Sequence, residues 1–123
     1  MILGLGIDVV HINRMEHWKE IPGLFNRYFH KDEIKSAELR GPSAIMSLAA
    51  RFAAKEAFGK ALGTGLAGLS LKEIQVINNH NGKPDIVISG KAEEAFVRFG
   101  GRGIFLSLTH EKDNAIAVVI IEG

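Results

Sequence analysis

Apolar positions recur along this chain with the period of a helix in some stretches and of a strand in others. The longest helical run begins at Pro42-Ser43, a start signal, and stops at Gly63, which suits a C-terminal cap. At about 100° per residue it shows three stripes. Ser47, Ala50, Ala54, Ala57 and Ala61 make a narrow face of small side chains, suited to close contact with another element. Ile45, Ala49 and Phe52 form an apolar row that runs straight into Glu56, with Lys60 one turn further on; Leu48, Phe58 and Leu62 cover the remaining side. A helix apolar nearly all round is buried, so this one is expected at the centre of the fold. A carboxylate in line with core residues then needs a partner, because burying an unpaired charge is costly. Glu56 and Lys60 stand at i,i+4 in the favourable order, and an ordinary ion pair worth roughly 0.2–0.5 kcal/mol is one answer. A metal or a bound ligand is the other.

Alternation predicts strands at both ends of the chain. Residues 2–10 put Leu3, Leu5, Ile7 and Val9 on one face and Ile2, Gly4, Gly6, Asp8 and Val10 on the other. Glycines inside a strand often mark close approach by a ligand or another backbone, here beside a carboxylate; Asp8 could equally cap the helix that follows. Leu71–Ile77 and Asp85–Ser89 read as a hairpin across the Asn81-Gly82 turn. Ile104–His110 and Ala115–Ile121 form another across Glu111–Asn114, with His110 continuing the face of Leu106 and Leu108. The last strand is apolar on both faces, so both must be covered, and in a short chain a partner subunit is a natural cover.

Shorter helices are predicted over residues 11–20, with a stripe of Ile12, Met15 and Trp18, and over Lys31–Leu39, with Asp32 and Glu33 in the first turn where the helix dipole favours them. Lys91–Phe99 turns Ala92, Ala95, Phe96 and Phe99 inward. Leu24–Phe29 is apolar and aromatic with Arg27 exposed; Arg14, Lys19, Arg27, Lys31 and Lys35 together offer a basic surface. The sum is an α+β fold in a single domain over residues 1–123, mostly antiparallel sheet packed on the long helix.

Composition narrows the function. The net charge of +1 excludes the global basic field of a nucleic-acid binder, so a charged partner must be met by a local patch. The absence of cysteine excludes disulfides and thiolate metal sites and fits a cytoplasmic protein. MILGLGIDVV has no basic flank and is broken by glycines, so it is expected neither to target nor to span a membrane. GTGLAG after the long helix is not a P-loop, since a helix C-terminus repels phosphate, although its bare amides could form an anion nest. Gly4-x-Gly6 lies within a strand and is no dinucleotide fingerprint. Asp8, Glu56, Lys60 and His110 without cysteine suggest a hard-cation site handling phosphate, of the kind that holds magnesium by one or two carboxylates.

GIDVV at 6–10, RFAAKEAFGKALGTG at 51–65, NGKP at 81–84 and SLTHEKDNAIAVVI at 107–120 resemble, in order and spacing, the holo-[acyl-carrier-protein] synthases, the small 4′-phosphopantetheinyl transferases of fatty-acid synthesis. The resemblance frames nearly the whole chain and excludes the longer, two-lobed surfactin-type transferases. It implies the 4′-phosphopantetheinyl transferase fold and a cytoplasmic homotrimer with active sites at subunit interfaces. Asp8 and Glu56 match the family's magnesium ligands, Lys60 its phosphate-contacting lysine, and His110 a residue near coenzyme A. Arg51, Gly63, Thr64, Gly65 and Lys83 match positions around the coenzyme A nucleotide, and Arg14 one that meets the acidic acyl carrier protein. His30 stands where other members have a helix-capping Thr or Ser, and Arg40-Gly41-Pro42 is shorter than in some.

The activity so implied is magnesium-dependent transfer of 4′-phosphopantetheine from coenzyme A to a carrier-protein serine, releasing adenosine 3′,5′-bisphosphate. The catalytic groups would be Asp8, Glu56 and Lys60. Two rivals remain: a non-catalytic trimeric module binding coenzyme A or a nucleotide, which has no need of both Asp8 and Glu56, and a structural trimer in which Glu56–Lys60 is a plain salt bridge.

Overall fold

The computed structural model describes residues 1–123. Strand β1 (Ile2–His11) leads into helices α1 (Ile12–Lys19), α2 (Leu24–Tyr28) and α3 (Lys31–Glu38). The longest helix is α4 (Ala44–Leu62), followed by β2 (Ile74–Asn78), β3 (Pro84–Ile88), α5 (Gly90–Arg98), β4 (Gly103–His110) and β5 (Asn114–Glu122). The fold is α+β, and its strands divide into two antiparallel sheets: a three-stranded one in the order β1-β5-β4 and a β2-β3 ribbon. The first strand therefore pairs with the last, in a register that sets Ile7 against Val118 and Asp8 against Ala117. Met1 and Gly123 close the end of this pair, with the terminal ammonium donating to Gly123 O at 3.0 Å and Gly123 N–H to Met1 O at 2.9 Å.

The inner face of this sheet lies on α4, and two glycines decide how closely. A Cβ on Gly6 would fall on the carbonyl oxygen of Ala57, and one on Gly4 on that of Ala61. The approach that bares this strand is by another backbone, and the alanine stripe of α4 is its counterpart. Ala57, Ala61, Ala117 and Val119 are all buried in this contact layer.

A buried ion pair joins α3 to α4 and to the start of β2. Lys55 Nζ donates to Glu33 Oε1 at 2.7 Å and to the carbonyl oxygens of Leu71 and Ile74 at 2.8 and 2.6 Å. Glu33 also accepts from the backbone N–H groups of His30 at 3.0 Å and Val76 at 3.1 Å. Every polar group of the pair is satisfied, which is the condition under which buried charge is tolerated. Sequence pattern assigns Glu33 only to a first turn favoured by the helix dipole and gives Lys55 no role; both are fully buried.

Local details depart from expectation in physical ways. Ser43 precedes α4, but its hydroxyl makes no cap, because Gly41–Ser43 forms a 3-10 turn with Pro42 at its start. Leu71–Glu73 is likewise a 3-10 turn, so β2 begins only at Ile74. Phe99 lies past the end of α5 and is 36% exposed instead of fully inward. Gly63 does cap α4, in the left-handed conformation with φ 83°. His30 caps α3 as a Thr or Ser would: its Nδ1 accepts from Asp32 N–H at 3.1 Å while Glu33 reaches back to its N–H, a complete capping box.

The outer face of the three-stranded sheet is apolar. Leu5, Ile7, Val9 and Phe105 are 63%, 57%, 56% and 51% exposed there, with Val118 and Ile120 of β5 between them. No helix is long and apolar enough to cross a membrane.

Candidate active site

The anticipated residues fall into two groups at opposite edges of the three-stranded sheet. On the β1 edge, Asp8 follows the glycines and shares their inward face, while α4 delivers Glu56 and Lys60 to the same place. Asp8 is not a helix cap; that role belongs to His11, whose Nδ1 accepts from Asn13 N–H at 3.2 Å. Nor does Lys60 pair with Glu56. Its Nζ lies 2.9 Å from Asp8 Oδ1 and 3.1 Å from the carbonyl oxygen of Ile7, tying α4 to β1.

This arrangement leaves Glu56 half-buried without a direct ion-pair partner. Burial first, and then the negative charge of Asp8, push its carboxyl above the ordinary glutamate range; Arg14 and Lys60 pull the other way. The Lys60 ammonium is shifted up in turn by its hydrogen bond to Asp8. A partly desolvated carboxylate whose charge a neighbouring carboxylate disfavours is, with that neighbour, a donor set that a hard divalent cation relieves. No group of three or more potential ligands gathers anywhere, so the pair suits a cation that keeps water and substrate oxygens in its shell, as magnesium does. The residues fit that ion.

The Gly63–Gly65 loop sits at the same end of α4. Gly65 N–H donates to Gly59 O at 3.0 Å, and a Cβ on Gly59 would stand 2.7 Å from the Gly65 carbonyl carbon, so the loop folds back over the helix. The Thr64 hydroxyl donates to Gly65 O at 3.2 Å.

Arg51 and His110 belong to the other group. Arg51 precedes Glu56 by five positions on α4, which turns it about 140° away around the helix, and it lies about 14 Å from Lys60 along the axis. It lines a cavity of about 330 Å³ with Asn78, Pro84, Leu108, Thr109 and His110. Its guanidinium is held by the carbonyl of Val76, by Ser36 Oγ at 3.1 Å and by Ser47 Oγ at 3.3 Å. Arg51 is therefore partly structural, and it presents a fixed positive wall. Lys83 is exposed on the hairpin between the lining residues Gly82 and Pro84. Asn78, which the sequence pattern leaves outside the strand, ends β2 and lines the cavity.

Arg14 stands on α1 above the first group. Its guanidinium carbon is 5.0 Å from the ring centre of Trp18 and 4.9 Å from that of Phe52. The Arg14–Trp18 spacing was visible in the sequence; the part of Phe52, on another helix, was not.

The whole chain resembles proteins of known family. Residues 4–119 match the family described as the 4′-phosphopantetheinyl transferase superfamily. A holo-[acyl-carrier-protein] synthase from Treponema denticola is 54% identical over 123 residues, the whole of both chains. The crystal structure of the corresponding synthase from Neisseria meningitidis superposes with a TM-score of 0.91 at 32% identity, covering 100% of each chain. That of the Helicobacter pylori synthase in complex with coenzyme A gives 0.81 at 32% identity, over 96% of this chain and 99% of the other.

Proposed function

The chain belongs to the holo-[acyl-carrier-protein] synthases, phosphopantetheinyl transferases by activity, and on that premise we propose that it moves 4′-phosphopantetheine from coenzyme A to a serine of apo acyl carrier protein, with magnesium, in fatty-acid biosynthesis. The observation that carries this reading is the meeting of Asp8 and Glu56 from distant parts of the chain, with Lys60 spanning to one of them. A module that only bound a nucleotide would have no use for a second carboxylate placed beside Glu56.

In the reaction, the serine hydroxyl attacks the β-phosphorus of coenzyme A. A new phosphodiester bond forms, the bond from that phosphorus to the bridging pyrophosphate oxygen breaks, and adenosine 3′,5′-bisphosphate leaves. Magnesium held by Asp8 and Glu56 would neutralise the pyrophosphate charge that builds in the transition state. Lys60 already places an ammonium at this edge, and its exposed Nζ can exchange Asp8 for a phosphate oxygen. Burial and then Asp8 raise the proton affinity of the Glu56 carboxyl, and the serine proton passes to it directly or through one water.

The nucleotide end of coenzyme A is assigned to the cavity beside Arg51, Lys83 and His110. Within one chain that cavity stands at the β4 edge, away from Asp8 at the β1 edge. A homotrimer whose copies meet through the apolar outer sheet face would bring the β1 edge of one protomer to the β4 edge of the next and complete the site. The Gly63–Gly65 backbone would line the phosphate end of it. Arg14 faces the acidic carrier protein beside the incoming serine.

The test is intact mass spectrometry of apo acyl carrier protein incubated with coenzyme A, magnesium and the protein. A gain of one phosphopantetheine arm at the serine is expected. No gain across a panel of divalent metals would favour a coenzyme A-binding module instead.

A further inference from the structure

Arg14 is exposed, yet its guanidinium is not left to sample rotamers. It lies within cation–π range of two rings, those of Trp18 and Phe52, at 5.0 and 4.9 Å. The rings brace each other, meeting edge to face with centroids 4.9 Å apart. Phe52 is buried in α4, one turn before Glu56, so one wall of the clamp is fixed to the helix that carries the carboxylate. Trp18 is the second wall and only half-buried. Its other neighbour is Tyr28 at 5.3 Å, a ring that itself carries the Arg27 guanidinium at 5.7 Å. Trp18 thus joins the ring under Arg14 to the ring under Arg27, and it holds α1 and α2 in register over α4.

We propose that Trp18 is a positioning residue for carrier-protein recognition: with Phe52 it holds the Arg14 guanidinium in its docking orientation before the acidic partner arrives. The proposal rests on the reading of Arg14 as a carrier-protein contact and adds a cause for its geometry. A free arginine loses considerable rotamer entropy when an interface fixes it, and a stacked one has already lost it. The planar guanidinium also keeps its N–H edges free when its face is stacked, so the clamp orients Arg14 without consuming the donors that meet a carboxylate.

The experiment is steady-state kinetics of the full-length protein with coenzyme A and apo acyl carrier protein, on Arg14→Ala, Trp18→Ala, Trp18→Phe and the Arg14→Ala/Trp18→Ala double variant. Trp18→Ala should raise KM for the carrier about three- to tenfold, the size expected from one side chain newly free to be ordered. KM for coenzyme A and kcat should not move, and Trp18→Phe, which keeps a ring, should recover most of the loss. In the double variant Trp18→Ala should add nothing to Arg14→Ala. A Trp18→Ala effect that persists undiminished without Arg14 would overturn the proposal, making Trp18 an independent contact. A fall in kcat with a rise in both KM values, unrescued by Trp18→Phe, would also overturn it, as a general packing defect. Arg14→Ala with an unchanged carrier KM would instead remove the underlying reading of Arg14, and is told apart from both because it does not involve Trp18. The chain has a single tryptophan, so Trp18 fluorescence during carrier titration supplies a second readout, expected to respond in wild type and to lose that response in Arg14→Ala.

Discussion

Lys60 Nζ sits 2.9 Å from Asp8 Oδ1 on a different element, while Glu56, one turn earlier on its own helix, lies outside ion-pair distance of it. The choice follows from the packing. Gly4 and Gly6 let β1 settle against the backbone of α4, and this brings the Asp8 carboxylate under the reach of Lys60. Glu56 is left with a carboxylate neighbour and partial burial. An intrahelical pair would have neutralised it; the pair that forms instead keeps it in need of a cation.

That need has a pH signature. Burial, then Asp8, raise the Glu56 carboxyl above its ordinary value, so the folded chain holds this proton to higher pH than the unfolded chain. Its contribution to stability is complete below the unfolded pKa and is lost as pH rises through the folded one. Thermal melts of metal-free protein, from about pH 4, near the ordinary glutamate pKa, to neutrality, should show wild type losing ground to Glu56→Gln. Magnesium at neutral pH should raise the wild-type melt and leave that of Glu56→Gln in place. Parallel pH curves for the two would contradict the assignment.

The Lys55–Glu33 pair should matter to folding alone. Lys55→Met strands a buried carboxylate and the carbonyls of Leu71 and Ile74, and should cost about 3–5 kcal/mol in urea unfolding. Adding Glu33→Leu should recover only part of this, since the N–H groups of His30 and Val76 then lose their acceptor. A single-variant loss below about 1 kcal/mol would mean that water replaces the pair freely.

Gly6→Ala should be among the worst single substitutions despite adding only a methyl group. The new Cβ would meet backbone atoms of Ala57 and Ala61, which cannot rotate away. A loss of about 3 kcal/mol is expected by denaturant titration. An unchanged midpoint would show that β1 and α4 can separate without penalty.

The apolar outer face of the sheet carries its own prediction. Ile7→Glu places a charge amid Leu5, Val118 and Phe105; wild type should sediment as the proposed trimer and the variant as a monomer, with transfer lost while the monomer stays folded. A variant that sediments unchanged would exclude this face as the subunit contact.

Periodicity was enough to expose the architecture around the site. The alanine stripe of α4 and the bare glycine face of β1 each had a physical meaning readable from spacing, and the motifs named the family. Three features were out of reach for one reason: they depend on partners far apart in the chain. Lys55 looks like any surface lysine until Glu33, Leu71 and Ile74 surround it. Lys60 has a local partner at helical spacing and takes a remote one. Phe52 reads as core, and it is core, but its buried ring also supports Arg14 from beneath.

The most direct measurement is the rate of phosphopantetheine transfer against magnesium concentration for wild type, Asp8→Asn and Glu56→Gln. Wild type should saturate with magnesium and stop with a chelator. Both variants should lose at least about a hundredfold, with saturation displaced to higher magnesium, as expected when a ligand is removed from a two-carboxylate site. Near-normal transfer by Glu56→Gln on an undisplaced magnesium curve would contradict the metal role of this carboxylate and with it the proposed site.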